Sequence, residues 1–434
     1  MSSVKRHKFK NGLELVYQKS NSNVPITSIY VFCKVGSAFE NEPVRGMSHL
    51  LEHMCFAGTE KVKKAKDLLL QYNTIGAYVN AYTTTQHTGY YIKCDDQHFE
   101  HAYGLITDIL LNSTFPKKDF IKEQNVVVEE NIRGLDDNRS LIANRIDSIY
   151  FRGSSYEYPI DSIEYHPTST HLKYDDMIAW YKWFYTPSNM VISIISQLSF
   201  SHILHIVSNS QMTQHIAKHI KPSFASHTPC LNILPIHSTF SVDYYQKKGV
   251  STTLISLGFR TCSYESKDIY TLQLLEEILN GFSGRLFTEF RTMRGLTYHS
   301  SCHTKYHKHT GYFSIFIQTD PSKLLKVLSI LVKIVREIKQ GVSEDEINRS
   351  KSVVKGSILR SMENMDIFAK YNGMECMYGS NIIPYQDIYS KKLARITKKQ
   401  VNDTIDRYFH KENMVVCILY DKEINKKKIN SLFS

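Results

Sequence analysis

The segment His49-Leu50-Leu51-Glu52-His53 holds two imidazoles and a carboxylate within five residues. On a helix, positions four apart lie on one face, one turn from each other, so His49 and His53 can close on one metal ion. Glu52 lies at the edge of that face, from which it can reach a water on the metal. The order of these residues is the inverted form of the H-E-x-x-H zinc motif. Because zinc makes such a water more acidic, the pattern predicts Glu52 as the base that takes its proton before attack on a carbonyl.

The pattern alone is moderately specific. The chain has 19 histidines, so pairs at this spacing arise by chance, and a pair of surface histidines is the alternative interpretation. The flanking residues, Gly-Met-Ser at 46–48 and Met-Cys-Phe-Ala-Gly-Thr at 54–59, favour a functional site. A catalytic zinc site also needs a third protein ligand, with the fourth position left open for water.

Strand and helix patterns alternate along the chain. Runs rich in β-branched and aromatic residues predict strands at residues 28–33, 89–94 and 190–195. Amphipathic patterns predict helices at residues 65–72 and 99–111. The alternation is typical of an α+β fold.

Three landmarks recur in the same order in both halves of the chain. Residues 49–53 align with Gln-Leu-Leu-Glu-Glu at 273–277, residues 88–91 with 310–313, and residues 121–132 with 347–358. His53 and Glu130 are 77 residues apart, and their counterparts Glu277 and Gly356 are 79 apart. Chance similarity between short apolar helices is the alternative. The repeat predicts two homologous α+β domains, 1–218 and 241–434, joined by a proline-containing linker at 219–240.

Composition narrows the classes of function. The net charge is +11, but the cations are spread along the chain without a long basic block, so we predict a solvated surface and no nucleic-acid partner. The longest stretch without Asp, Glu, Lys or Arg, at about 183–217, is interrupted by polar residues, so no membrane span is expected. Eight scattered cysteines without a C-x-x-C pair, and an N-terminus unlike a signal or transit peptide, predict a cytoplasmic location.

The sequence resembles the pitrilysin, insulysin and mitochondrial processing peptidase family of zinc metallopeptidases, the inverzincins. The resemblance covers nearly the whole chain and is carried by these segments: 11–13, 35–40, 46–59, 80–83, 123–130, 284–287 and 291–298. It implies a half-length, two-domain member in which each domain is a mostly antiparallel sheet covered by helices, assembled as a clamshell. The implied activity is that of a zinc-dependent endopeptidase acting on short or unfolded peptides.

The resemblance also supplies the remaining metal ligand. In this family the third ligand is a glutamate on a later helix, seven residues after another acidic position. Glu123 and Glu130 have this spacing, which implies that Glu130 binds zinc and that Glu123 supports the ligands from behind. Glu129 is the nearest alternative ligand. The second half has Gln273, Glu277 and Gly356 at the three ligand positions, so one zinc per chain is expected.

Two further groups match the family's substrate contacts. One segment resembles the edge strand on which an extended substrate adds as a β-strand through its backbone: Asn80, Ala81, Tyr82 and Thr83. A plain edge strand is the alternative. Arg291 and Tyr298 match the pair that the opposite half of the clamshell presents to the substrate carbonyl and the tetrahedral intermediate. A guanidinium and a phenol are donors suited to developing oxyanion charge.

The chain departs from the family pattern at two functional positions. The catalytic subunit of the mitochondrial enzyme carries acidic residues, roughly three turns beyond its glutamate ligand, that receive a substrate arginine. Ser140 and Asn144 stand at those places here, which argues against presequence processing.

A non-catalytic, core-type structural subunit of the same fold remains the alternative class. Such subunits have typically lost ligands, whereas all three ligands and the base are present in this sequence.

The number of domains predicts that the active protein contains more than one chain. Full-length family members have four such domains enclosing the substrate, and this chain has two. The resemblance implies that the second domain of one chain faces the catalytic domain of another. Because one chain contains both halves of an active site, we predict a homodimer, and a heterodimer with a related subunit stays open.

Overall fold

Two β-sheets and the helices that cover them form the described part of the protein. The computed structural model describes residues 3–158, 160, 172–215, 240–379 and 381–434, so the predicted linker 219–240 lies outside the described residues except for Phe240. The strands are β1 Lys5–Lys8, β2 Glu14–Lys19, β3 Ile26–Cys33, β4 Tyr78–Thr83, β5 Thr88–Asp95, β6 Met190–Ser196, β7 Ser241–Gln246, β8 Thr253–Thr261, β9 Thr297–Tyr306, β10 Gly311–Thr319 and β11 Met414–Tyr420.

The helices are α1 Met47–Met54, α2 Ala65–Thr74, α3 Phe99–Leu111, α4 Lys117–Asp136, α5 Asn138–Tyr150, α6 Tyr174–Phe184, α7 Phe200–Ser208, α8 Gln211–Gln214, α9 Asp268–Leu279, α10 Leu324–Lys339, α11 Glu344–Ser361, α12 Met365–Tyr378, α13 Ile388–Lys391, α14 Lys398–Tyr408 and α15 Lys426–Ser431. A π-helical turn covers Phe287–Thr292. None of the described helices is long and apolar enough to cross a membrane.

The two sheets share one connectivity. The first has the order β1-β2-β6-β3-β5-β4, and the second has the order β7-β11-β8-β10-β9. Each contains one parallel pair, β2 with β6 and β7 with β11, and its other pairs are antiparallel. Without β1, the strands follow the same order of first, last, second, fourth and third. The prediction of two related α+β domains with mostly antiparallel sheets is therefore confirmed.

Burial explains which segments became central and which became edge strands. The central strands β6 and β11 are buried along their whole length, because helices cover both faces of these sheets. By contrast, β4 ends the first sheet and carries exposed and partly buried residues. A strand that is central and covered on both faces needs apolar residues at every position, whereas an edge strand tolerates polar ones.

Each compact unit includes a segment from the other half of the sequence. Unit 1 comprises Met1–Gly134, Tyr158–Cys230 and Ser361–Tyr385, and unit 2 comprises Leu135–Glu157, Leu231–Arg360 and Gln386–Ser434. Thus α12, late in the chain, packs on β6 and β3 of unit 1. In unit 2, α5 from the first half packs in the same way on β11 and β8.

Two hydrogen bonds, one ion pair and one close contact hold α12 against the first sheet. The Asp366 carboxylate accepts a hydrogen bond from Ser28 Oγ at 2.8 Å and pairs with Lys93 Nζ at 2.5 Å. Further along the helix, Asn372 Nδ2 donates to Gln18 Oε1 at 2.9 Å. Gly373 lies directly against the buried ring of Phe32, and a Cβ at that position would overlap the ring.

We therefore expect Gly373→Ala to lower stability, although alanine is the better helix former. Forcing a methyl group into a packed contact costs about 1–3 kcal/mol. The matched control is Gly104→Ala in the middle of α3, where an added Cβ meets nothing within 4 Å. That change should raise stability by about 0.5–1 kcal/mol. Thermal unfolding of both variants measures the two effects, and equal shifts of the midpoint in the same direction would contradict this account.

Candidate metal centre

The helix that carries the two histidines is fixed at its start and along one face. Gly46 adopts a left-handed conformation with φ of 86°, which suits glycine, and α1 begins at the next residue. The Glu40 carboxylate accepts hydrogen bonds from the backbone N–H groups of Gly46 and Ser48, both at 2.7 Å. A carboxylate is favourable at this end of a helix because of the helix dipole and the free N–H groups. One side of α1 is buried in the core: Met47, Leu50, Leu51 and Met54.

His49 and His53 project from α1 with their rings one turn apart. The ring centroids are 4.9 Å apart and the ring planes are nearly perpendicular, at 86°. Glu130 Oε2, on α4, lies 3.5 Å from Nε2 of His49 and 3.5 Å from Nε2 of His53. One ligand atom from each of these three residues lies within 4.8 Å of the others.

These separations fit a zinc ion. With Zn–N and Zn–O bonds of about 2.0–2.2 Å, tetrahedral ligand atoms stand roughly 3.3–3.6 Å apart. Burial and the neighbouring His53 lower the pKa of His49 to about 4, so its imidazole is neutral at neutral pH. Neutral imidazole is the form that binds metal. The three residues therefore meet the requirements of charge, donor type and distance for a catalytic zinc site.

Glu123 supports the site from behind His53. Its Oε2 lies 3.2 Å from His53 Nδ1, and its Oε1 lies 3.1 Å from Lys122 Nζ. A carboxylate bound to the far nitrogen of a metal-binding imidazole fixes its tautomer and orientation. Both Glu123 and Glu130 face the histidines because seven residues are close to two helical turns. An adjoining stripe of α4 is buried: Phe120, Gln124, Val127 and Asn131.

The alternative ligand does not converge on the histidines. Glu129 is exposed, and its carboxylate is not part of the group that draws ligand atoms together among the described residues. His49 Nδ1 is buried and has no hydrogen-bond partner among the described residues, unlike the Nδ1 of His53. Among the described residues, a carboxylate therefore contacts Nδ1 of His53 and none contacts Nδ1 of His49.

Glu52 is buried beside the histidines, with 8% of its surface exposed. Burial raises the pKa of its carboxyl to about 7, against a hydrogen bond from Thr83 that lowers it. Thr83 Oγ1 donates this bond to Glu52 Oε2 at 2.5 Å, which leaves Oε1 free of it. A carboxylate whose proton affinity lies near neutral pH is suited to accept and return a proton. Sequence reasoning named Thr83 for the substrate strand and missed its contact with Glu52.

The predicted substrate strand forms one wall of the cleft at this site. The cleft has a volume of about 710 Å³ and is lined by Asn80, Ala81, Tyr82 and Thr83 of β4 as well as by the histidines and glutamates. Within the described sheet, β4 pairs with β5 alone, from Tyr78 opposite Lys93 to Thr83 opposite Thr88. Its other edge is the side on which a further strand can add. Apolar side chains from outside β4 also line the cleft, together with Asp119 and Lys122: Phe56, Ala57, Ala65 and Leu69.

Arg291 and Tyr298 lie in unit 2, apart from the unit that holds the metal ligands. Arg291 is exposed on the π-helical turn, with its guanidinium 5.3 Å from the Phe287 ring. Tyr298, at the start of β9, is 74% exposed. Both side chains are therefore available for contacts, and their role towards a substrate stays a prediction.

The second half retains part of the site without its metal ligands. Gln273, Glu276 and Glu277 lie on α9, and Gly356 lies on α11. Burial raises the pKa of Glu276, the counterpart of Glu52, to about 7, and Thr304 beside it offsets part of the rise. Among the described residues, His49, His53 and Glu130 are the one group of three that could hold a metal ion.

Comparisons with known proteins agree with this division of the chain. The sequence pattern of "Insulinase (Peptidase family M16)" matches residues 15–162, and that of "Peptidase M16 inactive domain" matches residues 171–354. An uncharacterized zinc protease of Bacillus subtilis is 29% identical over 85% of this chain and 87% of its own length.

Two solved structures share the fold at 18% identity each. A protease from Helicobacter pylori has a TM-score of 0.85, covering 96% of this chain and 100% of its own. A protein described as a peptidase M16 inactive domain, from Pseudomonas fluorescens, has a TM-score of 0.84, covering 98% of this chain and 100% of its own. On these matches and the ligand geometry, the chain belongs to peptidase family M16, the family of pitrilysin and insulysin, as a half-length, two-domain member.

Proposed function

We propose that this chain is a zinc-dependent endopeptidase that hydrolyses peptide bonds in short or unfolded peptides. The observation that carries the proposal is the position of Glu130 Oε2, 3.5 Å from both imidazole Nε2 atoms, beside the buried carboxylate of Glu52. One zinc per chain, held by His49, His53 and Glu130, is the expected cofactor. When bound, zinc polarises a carbonyl and makes water a stronger acid.

The surrounding side chains have separate tasks in this proposal. Glu52 holds and moves the proton, with its Oε2 tied to Thr83 and its Oε1 available for proton transfer. Glu123 fixes the tautomer of His53 so that Nε2 carries the lone pair towards the metal position. The edge of β4 binds the substrate backbone, which explains a preference for extended chains over folded ones. Arg291 and Tyr298 donate to the oxyanion that forms at the scissile carbonyl.

The alternative function is that of a non-catalytic, core-type subunit of the same fold. The matches named as inactive domains favour it for the second half, where Gln273, Glu277 and Gly356 replace the ligands. The first half supports catalysis, because the ligands converge and the base is buried among them. A peptidase with one active and one inactive half accounts for both observations.

Metal analysis tests the ligand set directly. We expect about one zinc per purified chain, lost in His49→Ala, His53→Ala and Glu130→Ala, because a catalytic zinc site needs three protein ligands. Glu52→Gln should keep the zinc yet lose about 10²-fold or more of its turnover, since an amide accepts no proton. Mass spectrometric metal counting and cleavage of an unfolded peptide library, with and without chelator, provide the two measurements.

Glu129→Ala is the matched control for the third ligand, since it removes the neighbouring exposed carboxylate. It should retain zinc. Zinc retained in Glu130→Ala and lost in Glu129→Ala would move the ligand by one residue, and normal turnover in Glu52→Gln would exclude that residue as the base.

A second prediction concerns the hydroxyl that holds the base. Thr83→Val keeps the shape of the side chain but removes the donor, and a hydrogen bond to a charged group contributes about 1.5–3 kcal/mol. We expect kcat to fall about tenfold or more, with KM and zinc content little changed. Thr83→Ser keeps the donor and should restore most of the turnover. Loss of zinc or a rise in KM alone would point instead to a change in the strand.

We also propose that the active enzyme is a homodimer. Support comes from the two exposed donors, Arg291 and Tyr298, in the unit that lacks the ligands, and from the family resemblance that pairs them with a catalytic domain. Because each chain carries both halves of an active site, two identical chains are sufficient. A heterodimer with a related subunit is the alternative.

Complementation tests the dimer. Glu52→Gln and Tyr298→Phe variants, each weak alone, should regain activity when mixed, because some mixed dimers contain one site intact on both sides. Sedimentation confirms that mixed dimers formed. A fully active monomer, or verified mixed dimers without recovered activity, would contradict the proposal.

A further inference from the structure

A second pocket lies in unit 2, between α5 and the sheet face that this helix covers. The C-terminal half of α5 is held close to the sheet, where Arg145 binds Asp243 at 2.8 Å and the ring of Tyr150 stacks on Tyr312 at 5.1 Å. Towards its N-terminal end the helix leaves a pocket of about 350 Å³ over β8, β10 and β9. The metal ligands belong to unit 1, and none of them lines this pocket.

The pocket lies over two cross-strand rows in which three of the lining residues are serines, Ser256, Ser301 and Ser314. One row is Gly258, Ser314 and His303, and the next is Ser256, Phe316 and Ser301. A sheet face under a helix is normally filled to crystal-like packing density, so three serines at these positions leave space.

The equivalent face of unit 1 is filled with aromatic rings under α12. There Tyr30 stacks on Tyr91 at 4.8 Å, and Tyr82 occupies the same row as Phe32 and Gly89. Two sheets with one connectivity and one covering helix each thus differ in this respect. The space in unit 2 comes from its side chains and does not follow from the fold itself.

The wall of the pocket combines one cation with neutral donors and an apolar floor. Among the described residues that line the pocket, Arg139 is the one arginine or lysine, and none is an aspartate or a glutamate. Burial lowers the pKa of both His299 and His303, so these rings are neutral donors or acceptors at neutral pH. Ile142 and Phe316 contribute the apolar floor.

Arg139 is placed to bind a planar anion. Its guanidinium donates one hydrogen bond to the described residues, from Nη2 to Gln318 Oε1 at 3.3 Å, and lies 5.8 Å from the Phe316 ring. Its other N–H groups can form the paired hydrogen bonds that guanidinium makes with a carboxylate. A charged head group at Arg139 thus lies next to the apolar floor formed by Phe316.

We propose that this pocket binds a carboxylate joined to an apolar side chain, in the form of the C-terminal residue of a peptide. Pockets of about 300–1,000 Å³ with an apolar lining and a few fixed polar groups are typical ligand sites, and this volume suits one or two residues. The choice of a peptide rests on the proposed function, whereas the choice of a carboxylate with an apolar group rests on the pocket alone. Each hydrolysed peptide bond creates one new C-terminal carboxylate, so the pocket would bind a product of cleavage as well as the original end of a peptide.

Calorimetric titration with N-acetyl-L-phenylalanine and with its amide tests the proposal on the full chain. The acid should bind with a Kd on the order of 1 mM, and the amide about tenfold or more weakly. Arg139→Met should weaken binding of the acid about tenfold. Ser301→Phe, which fills the pocket, should abolish binding. Arg152→Met is the matched control, because it removes another exposed arginine of the same unit outside the pocket, and it should bind as the unaltered protein does.

The same titration of the His53→Ala variant separates this pocket from the metal centre. Binding should persist there, and it should persist even if no peptide is ever hydrolysed, in which case the proposed function fails and the pocket stands. Equal binding of acid and amide, no binding of the acid, equal effects of Arg139→Met and Arg152→Met, or loss of binding in His53→Ala would each overturn the proposal.

Discussion

The helix that carries both histidines must bury one side and expose the other, and it has only eight residues with which to do so. α1 is too short to be stable alone, since isolated helices below about 12–15 residues are marginal in water. Its apolar side is locked into the core, and Glu40 binds the free N–H groups at its start. The opposite side can then hold two imidazoles at a fixed separation before any metal arrives. The other parts of the site are useful only if this side of α1 stays fixed. These parts are Glu130 on α4, the hydrogen bond that holds Glu52, and the cleft along β4.

The sequence predicts those parts of the site that follow from local geometry. His49, Glu52 and His53 share one helix, so their relation depends on the helical repeat alone. Glu130 is different, because its side of α4 depends on how that helix rotates onto the core, and the family spacing was needed to choose it over Glu129. The contact of Thr83 with Glu52 spans 31 positions and depends on which face of β4 points inwards. Because β4 is a short edge strand of mixed polarity, its sequence pattern does not show which face points inwards.

The repeat was also visible in the sequence, and the structure extends it to the order of the strands. The sequence pattern does not show which sheet each helix covers. An amphipathic stripe predicts that one face of a helix is buried, but it does not identify the element against which that face packs. The second half keeps a partly buried glutamate beside a threonine, Glu276 and Thr304, where the first half has Glu52 and Thr83. This pair therefore belongs to the shared architecture as well as to the chemistry, and the ligands distinguish the two halves.

The reciprocal placement of α5 and α12 affects how the protein is made. Synthesis proceeds from the N-terminus at about 5–20 residues per second, so roughly 8–35 s pass between completion of β6 and the start of α12. Throughout that interval the aromatic face formed by Tyr30, Phe32 and Tyr91 has no covering helix from its own unit. The nascent chain thus already contains all six strands of the first sheet while one apolar side of that sheet is still open. Unit 1 is therefore complete only when most of the second half of the chain has been synthesised.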